Sequence, residues 1–501
     1  MITRSRAARG RRAVAQLVAA AVVVGGVVWA AGQPAVTDRV DALEIARDSR
    51  EVVALGSTTV ALEQAALVCA GPELLGLSGA RDVELATSAT VVAAPLDELG
   101  RIPAPNGDPA LAIGVAGADR ADSPPPQTGS VSEQLTTPGS YLATGMGAAA
   151  PGLVATQETR AATEEVTGLG TVPCQIPAPE AWLLGGGSGP GRAERLVLSN
   201  PGSNSVTVDI RAFGAEGPVA PPSGQGVVVP GHGRVVLLGD ALLPDEETPV
   251  FAITAHGGDI TAVLVETAIE GTRPVGFDTV GSSAPPAAEQ IIAGVLQPQG
   301  EAGTVTVRIA NPGDAEAIAT ISYLAEEGEI ALPEGVARVA AGSVTDVPVT
   351  ELPPGVTTLR VTADSPIVAA VRSVVDDGAG VDALWAVAQP AVTGLAGGAL
   401  PAAEDLTRSL VVSAWGGGST VEVVEVGDGA PTTSRVPLPD GGSVVVAAAG
   451  DGIWVRPVSG TGAVFAAVVS VRTGEDGPQV SSMPLTAPPT SARRSEVVAL
   501  P

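Results

Sequence analysis

The chain has 501 residues, 54 acidic against 27 basic side chains for a net charge of −27, and only 2% aromatic residues. That length is too great for one core and suggests about three domains, and the charge excludes nucleic acid and anionic membrane surfaces as partners, since both would repel it. All the basic residues are arginine, which excludes a lysine nucleophile or a Ser-Lys pair. With Ala, Val, Gly and Pro dominant, cores have to be built from small and β-branched side chains, which favours strands.

Residues 1–12 hold Arg4, Arg6, Arg9, Arg11 and Arg12 ahead of any acidic residue, so removing these five positive charges from −27 leaves −32 on the rest. Residues 13–31 are apolar apart from Gln16. At a rise of about 1.5 Å per residue they cross most of a ~30 Å hydrocarbon core. The expectation is a transmembrane signal anchor with residues 1–12 as a cytoplasmic Arg-rich tail and the bulk of the chain extracytoplasmic. Val28-Trp29-Ala30 resembles a signal-peptidase site, so secretion after cleavage is the alternative. The Arg11-Arg12 pair lacks the bulky residue of a twin-arginine signal. Residues 32–50, with Asp38, Arg39, Asp41, Glu44, Arg47 and Asp48 and few large apolar side chains, read as a juxtamembrane stalk.

Residues 51–180 read as an N-terminal β-domain with a Pro-rich loop. Strand-like alternation falls at 58–60, 65–69, 83–85 and 89–93. Residues 95–180 are the least regular stretch, with Pro103, Pro105, Pro109, Pro124-Pro125-Pro126, Pro138 and Pro151. They are expected to be partly linker or extended loop, with strand-like pieces at 110–115 and 153–155. The two cysteines, Cys69 and Cys174, are expected to pair outside the cytoplasm, and such a closure is worth about 4 to 5 kcal/mol against unfolding in the chain-entropy model. A metal site would need ligands that two cysteines without a neighbouring histidine do not supply.

From residue 181 the chain repeats. Leu196 and Leu198 lead to Asn200-Pro201-Gly202, followed by Val206, Val208 and Ile210; 111 residues later Val307 and Ile309 lead to Asn311-Pro312-Gly313, followed by Ile318 and Thr320. The strand-turn-strand pattern reads as a hairpin fixed by its turn. Gly231 and Gly342 are again 111 apart, and Ile253-Thr254-Ala255-His256 answers Val361-Thr362-Ala363-Asp364. A third, diverged copy starts at Leu410-Val411-Val412-Ser413, where Ala414-Trp415-Gly416 replaces the tripeptide. The resulting units are residues 181–285, 286–395 and 396–482, each with about six or seven short strands, the rhythm of an immunoglobulin-like or fibronectin-like sandwich. The fold class is therefore all-β, tandem sandwiches after a single N-terminal transmembrane helix, with beads on a string as the natural arrangement and a shared interface between neighbours as the alternative. The tail, residues 483–501, is expected to end loosely.

The stretch from Gly168 to Val219, with GLGTVPC, PEAWLLGGG, RLVLSNPG and VTVDIRAFGAEGPV, resembles the actinobacterial family known as domain of unknown function 5719. The resemblance implies a single-anchor protein of an actinobacterial cell envelope. It also implies company with large membrane glycosyltransferases and so with surface-glycan assembly. It brings no catalytic residues.

Catalytic, cofactor-binding and metal sites are not recognised. His232 and His256 stand in turn contexts without counterparts in the other copies, where zinc would need ligands at binding spacing. Gly185-Gly186-Gly187-Ser188-Gly189 is followed by neither a lysine nor a helical pattern and reads as a flexible entry loop rather than a phosphate cradle. Asp245-Glu246-Glu247, Asp376-Asp377-Gly378 with Asp382, and Glu475-Asp476-Gly477 lack the spacing of a calcium loop and read as solvated turns. Trp182, Trp385, Trp415 and Trp454 read as packing groups, with an exposed sugar-binding platform as the sharper alternative. The expectation is a noncatalytic scaffold or interaction protein without cofactors, bound to the membrane through its helix. Envelope proteins or cell-surface glycans are its candidate partners. A glycan-binding or adhesive ectodomain is the alternative, and an enzyme with an unrecognised site the third reading.

Overall fold

The computed structural model describes residues 58–72, 85–100, 102, 105–118, 128–299, 303–403, 405–472, 474 and 477–494. The tail, anchor and stalk expected over residues 1–50, and Glu475-Asp476, lie outside them. Among the described residues no helix is long and apolar enough to cross a membrane. Two compact units are present. The small one pairs β1 (Thr58–Ala61) with the final strand, Ser491–Arg494.

The large unit, residues 61–490, holds four sandwiches. The first comprises β2 (Gln64–Cys69), β3 (Ala86–Val92), β4 (Ala110–Val115), β5 (Ser130–Gln134), β6 (Tyr141–Met146), β7 (Val154–Ala162) and β8 (Thr167–Pro173). The second has β9 (Glu180–Leu184), β10 (Arg192–Asn200), β11 (Val206–Gly214), β12 (Gly217–Val219), β13 (Val227–Val229), β14 (Gly233–Leu238), β15 (Val250–His256), β16 (Thr261–Glu270) and β17 (Arg273–Val280). The third has β18 (Ala287–Gln297), β19 (Thr304–Ala310), β20 (Ala317–Ala325), β21 (Gly328–Val339), β22 (Val344–Val349), β23 (Gly355–Asp376) and β24 (Val381–Val387). The fourth has β25 (Ala396–Ala399), β26 (Thr407–Trp415), β27 (Ser419–Val426), β28 (Thr432–Leu438), β29 (Ser443–Ala447), β30 (Gly452–Gly460), β31 (Ala463–Arg472) and β32 (Gln479–Pro484).

All four share one topology. With eight positions per copy, one antiparallel sheet runs 5-2-7-8 and the other 4-3-6-1: β14-β10-β16-β17 faces β12-β11-β15-β9 in the second copy, and β29-β26-β31-β32 faces β28-β27-β30-β25 in the fourth. In the third copy positions 6 and 7 are one bent strand, β23, whose first half pairs β18 and β20 and whose second half pairs β19 and β24. The first copy follows the same order, β5-β3-β7-β8 over β2-β6-β4, with position 4 vacant among the described residues. Residues 95–180, expected to be partly linker or extended loop with strand-like pieces at 110–115 and 153–155, thus hold five strands of a fourth copy, two of them at those pieces. Their prolines sit mostly between strands, where no ladder N–H is needed.

The sandwich architecture is present, but the connectivity is not the immunoglobulin order. There the sixth and seventh strands share a sheet; here they lie on opposite sheets. For the same reason Asn200-Pro201-Gly202 is not a hairpin turn. It carries the chain from β10 in one sheet across to β11 in the other.

Strand formation follows the alternation. In β11, Val206, Val208, Ile210 and Ala212 point inward and Thr207 and Arg211 outward, so one face is buried against Leu196, Leu198 and Leu264. Cores are small because the side chains are, and apolar clusters therefore also form between copies. Ala70, Val197, Val263 and Phe277 join the first and second; Val344, Val368 and Trp385 continue the second core into the third; Ile291, Val411 and Phe465 join the third and fourth. Val92, Leu99, Val154, Val424 and Trp454 join the fourth back to the first. The copies therefore close a cycle of four interfaces instead of forming a string. The segment after Met483 is not loose as far as residue 494: Met483 is buried, Thr486 exchanges backbone hydrogen bonds with Gly397, and Pro489 O accepts the Gly152 N–H at 2.7 Å.

Candidate functional site

The last strands of the copies, β8, β17, β24 and β32, pack around a common centre. Close approach there depends on glycine, since a Cβ at Gly168 would stand 2.5 Å from Asp382 Oδ1 and one at Gly170 would stand 2.8 Å from the Phe277 ring. Asp382 is fully buried at this centre. Its carboxylate accepts N–H bonds from Leu169 (3.2 Å), Phe277 (3.3 Å), its neighbour Ala383 (2.9 Å) and Val480 (2.8 Å), one donor from each of the four copies. Burial pushes this carboxyl well above the usual aspartate range, against the pull of the four donors. The expectation of a solvated turn for Asp382 is overturned. An aspartate on the inward face of an apolar strand, VDALWAV, was the signal available in the sequence.

Beside it lies the junction of the second and third copies. Asp278 on β17 accepts the Trp385 N–H at 2.7 Å and the Thr279 N–H at 2.8 Å, and burial drives its carboxyl well up. Glu266 on β16 accepts the Trp385 indole N–H at 2.7 Å and the Gly186 N–H at 3.0 Å. Burial would raise Glu266, but Arg372 at 3.7 Å and Arg192 at 3.6 Å hold it below the usual range. Arg308 on β19 lies 4.9 Å over the Trp385 ring and forks onto Asp346, with both bonds at 2.9 Å. Its remaining N–H groups donate to the carbonyls of Gly185, Gly186, Pro249 and Glu247.

The Gly-rich run is therefore not a flexible entry loop. Residues 185–188 are buried, and their amides cradle carboxylates of the chain itself: Gly187 N–H donates to Glu194 as Gly186 N–H does to Glu266. Glycine is required because a Cβ at Gly186, whose φ is +72°, would stand 2.5 Å from the Glu194 carboxyl carbon. Burial raises Glu194 to about 7, with Glu266 and Asp240 adding to the rise and the Gly187 N–H and Arg308 opposing it.

The other expected residues resolve simply. Cys69 and Cys174 form a disulfide, with Cα atoms 4.4 Å apart, joining the end of β2 to the chain just beyond β8. His232 sits in a turn at φ 54° and donates its backbone N–H to Gly202 O, while exposed His256 contacts Asp209 at 3.1 Å. Glu246 accepts from Ala215 and from Thr248, and Asp376 and Asp377 cap their own turn. Trp182 stacks on Phe213, Trp454 is buried with its indole N–H on Gly152 O, and Trp415 lies 3.8 Å under the Arg360 guanidinium at the third junction. None of the four forms an open platform.

One open groove stands out, with a cavity of about 650 Å³ between the fourth and first copies. Leu99, Ile102, Leu395 and Val458 line it with Glu422, Arg435 and Arg456. Arg435 forks onto Glu422 at 3.0 and 2.9 Å, and Arg456 bonds both Glu422 and Leu99 O. The hydrogen bonds from Arg456 and Arg435 hold the Glu422 carboxyl below the usual range.

Among solved structures the chain is similar to a GH78 family rhamnosidase of Bacillus sp. GL1, at 10% identity and a TM-score of 0.13, covering 65% of this chain and 55%, about half, of that one. It is also similar to a tetra-tandem repeat in the extending region of a large adhesion protein, at 14% identity and a TM-score of 0.10, covering 76% of this chain and 91% of that one. At such scores neither carries an argument about fold or activity. No curated protein matches. A family model does match, over residues 128–449, which is more than half of the chain, and the protein thus belongs to the family of unknown function DUF5719.

Proposed function

We propose that the protein is a noncatalytic, membrane-anchored scaffold or interaction protein of an actinobacterial cell envelope, held by residues 13–31 with its N-terminus cytoplasmic and working beside surface-glycan assembly. The observation that carries this reading is where the chemistry is spent. The buried carboxylates Glu266, Asp278 and Asp382 face an arginine, backbone amides and an indole of neighbouring copies, while Glu194 accepts the Gly187 N–H of its own copy beside them. Groups so used lock domains together, and a rigid cycle of sandwiches is suited to presenting surfaces to partners. Affinity capture of the tethered protein from its own membrane tests the reading. A specific envelope protein is the expected recovery, and empty eluates would count against it.

A glycan-binding or adhesive ectodomain is the second reading, favoured by the groove at Glu422, Arg435 and Arg456. Its volume is of the size that accepts a small ligand, and the exposed Arg435 stands at its wall. Screening surface glycans against the wild type and Arg435→Ala tests it: binding weakened at least about tenfold is expected, and equal binding by both would remove the groove from consideration.

A further inference from the structure

In a chain of net charge −27, the groove between the fourth and first copies is positive. Three charged side chains line it, Glu422 on β27, Arg435 on β28 and Arg456 on β30. The register makes them one row across the sheet, since Glu422 stands opposite Arg435 on one side and opposite Arg456 on the other. Two guanidinium groups therefore share one carboxylate, and one positive charge is left over. Arg435 directs Nε and Nη2 to the same oxygen, Glu422 Oε1, and 71% of its side chain is exposed. With five N–H groups in a planar fork, it keeps the Nη1–Nη2 edge for a second pair of oxygens. Arg456 bonds Glu422 Oε2 and Leu99 O, and its buried Nε has no hydrogen-bond partner among the described residues. The matching sheet of the third copy carries the reverse arrangement. There Arg360 on β23 lies between Glu289 on β18 and Glu329 on β21, at 2.7 and 2.8 Å, and Trp415 of the fourth copy covers it. The other walls of the groove suit a ring with hydroxyl groups. Leu99, Leu395 and Val458 give an aliphatic side, and Thr393 and Thr490 bring hydroxyls. Glu422 Oε2 accepts one bond where a carboxylate oxygen can take two, which leaves room for another donor. Glu98, an exposed acid of the helical turn Leu96–Leu99, accepts from the Thr433 hydroxyl at 3.3 Å and does not line the groove.

We propose that this groove takes an acidic sugar, a pyranose bearing a carboxylate or a phosphate, with the acid group on the free edge of Arg435 and the ring against the aliphatic side. The guanidinium fork matches paired anionic oxygens of either acid. A neutral sugar leaves the excess charge of the row unanswered. Because the chain as a whole repels anions, the preference comes from this row at close range. Arg456 reaches across to Leu99 O, so a ligand seated beside it touches both the fourth and the first copy. This inference deepens the glycan-binding reading and rests on it, by naming the class of sugar.

The experiment titrates full-length protein in detergent, by calorimetry, with three probes: a glucuronic acid trisaccharide, the glucose trisaccharide of the same linkage, and glucose 1-phosphate. The expected result is binding of an acidic probe at least about tenfold tighter than the neutral one, with the difference lost in Arg435→Gln. Arg435 is exposed, so the variant is expected to melt with the wild type, and a melting scan checks that the loss is local. Whichever acid binds more tightly tells carboxylate from phosphate as the source. Equal affinity for the neutral trisaccharide would overturn the acidic class and leave the glycan-binding reading standing. An acid preference that persists in Arg435→Gln would place the anion elsewhere and overturn the proposal equally. Binding of none of the three would overturn it as well, and the glycan screen with Arg435→Ala then decides the broader reading by itself.

Discussion

Asn200 and Asn311 show how much a single side chain does in a protein with few large ones. Asn311 accepts the Gly313 N–H at 3.0 Å and donates to the carbonyls of Ala315, Val339 and Ala340; Asn200 does the same with Gly202, Asn204 and Val229. Each bridges the corner between two sheets to the strand or turn that follows. Asn311→Ala strands those carbonyls in a buried place and is expected to cost about 2 to 3 kcal/mol. Urea unfolding checks this, and a loss under about 0.5 kcal/mol, the size of an ordinary surface substitution, would mean that the corner does not depend on the amide. The tripeptide was legible in the sequence as a turn. That it joins opposite sheets was not, because hairpin and corner use the same turn residues.

At the scale of elements, the loop 185–188 and the strands β10 and β16 form a pH-sensitive unit. Glu194 is raised to about 7 from an ordinary 4.5. Its protonated form is thus favoured in the folded state: the stabilisation is complete below about 4.5 and is lost as pH rises through about 7. Asp278 and Asp382 are raised as well and act in the same direction. Glu194→Gln should flatten the fall in stability between about pH 5 and 8 without abolishing it. Denaturant midpoints measured across that range check it, and parallel curves for the two proteins would contradict the assignment. A second element-scale prediction concerns the bridge between β2 and the chain after β8. Reduction, or Cys69→Ala with Cys174→Ala, is expected to cost about 4 to 5 kcal/mol, with the first copy opening ahead of the rest. Limited proteolysis that cuts the reduced protein outside the first copy first would contradict this.

For the whole molecule, the closed cycle of copies predicts cooperative unfolding of residues 61–490, with Asp382 as the common point. Asp382→Ala leaves four buried N–H groups, one from each copy, without their acceptor, at a cost of at least about 4 kcal/mol. Calorimetry should show the single transition splitting into two or more. A variant that still melts in one step at an unchanged temperature would remove Asp382 from that role.

The sequence by itself determined what alternation and repetition encode: an all-β chain, cores of small residues, three related units of which the first two are spaced by 111 residues, the cysteine pair and the family resemblance. These are local or periodic signals, readable without knowing what faces what. Only the tertiary structure decided that the N-terminal region is a fourth copy, since its pairings are long-range and its loop prolines hide the rhythm. It alone decided that the copies close on one another, and that Glu194, Glu266, Asp278 and Asp382 are buried. A carboxylate in sequence looks the same whether water or a neighbouring domain's amides surround it, and only packing between distant segments settles which.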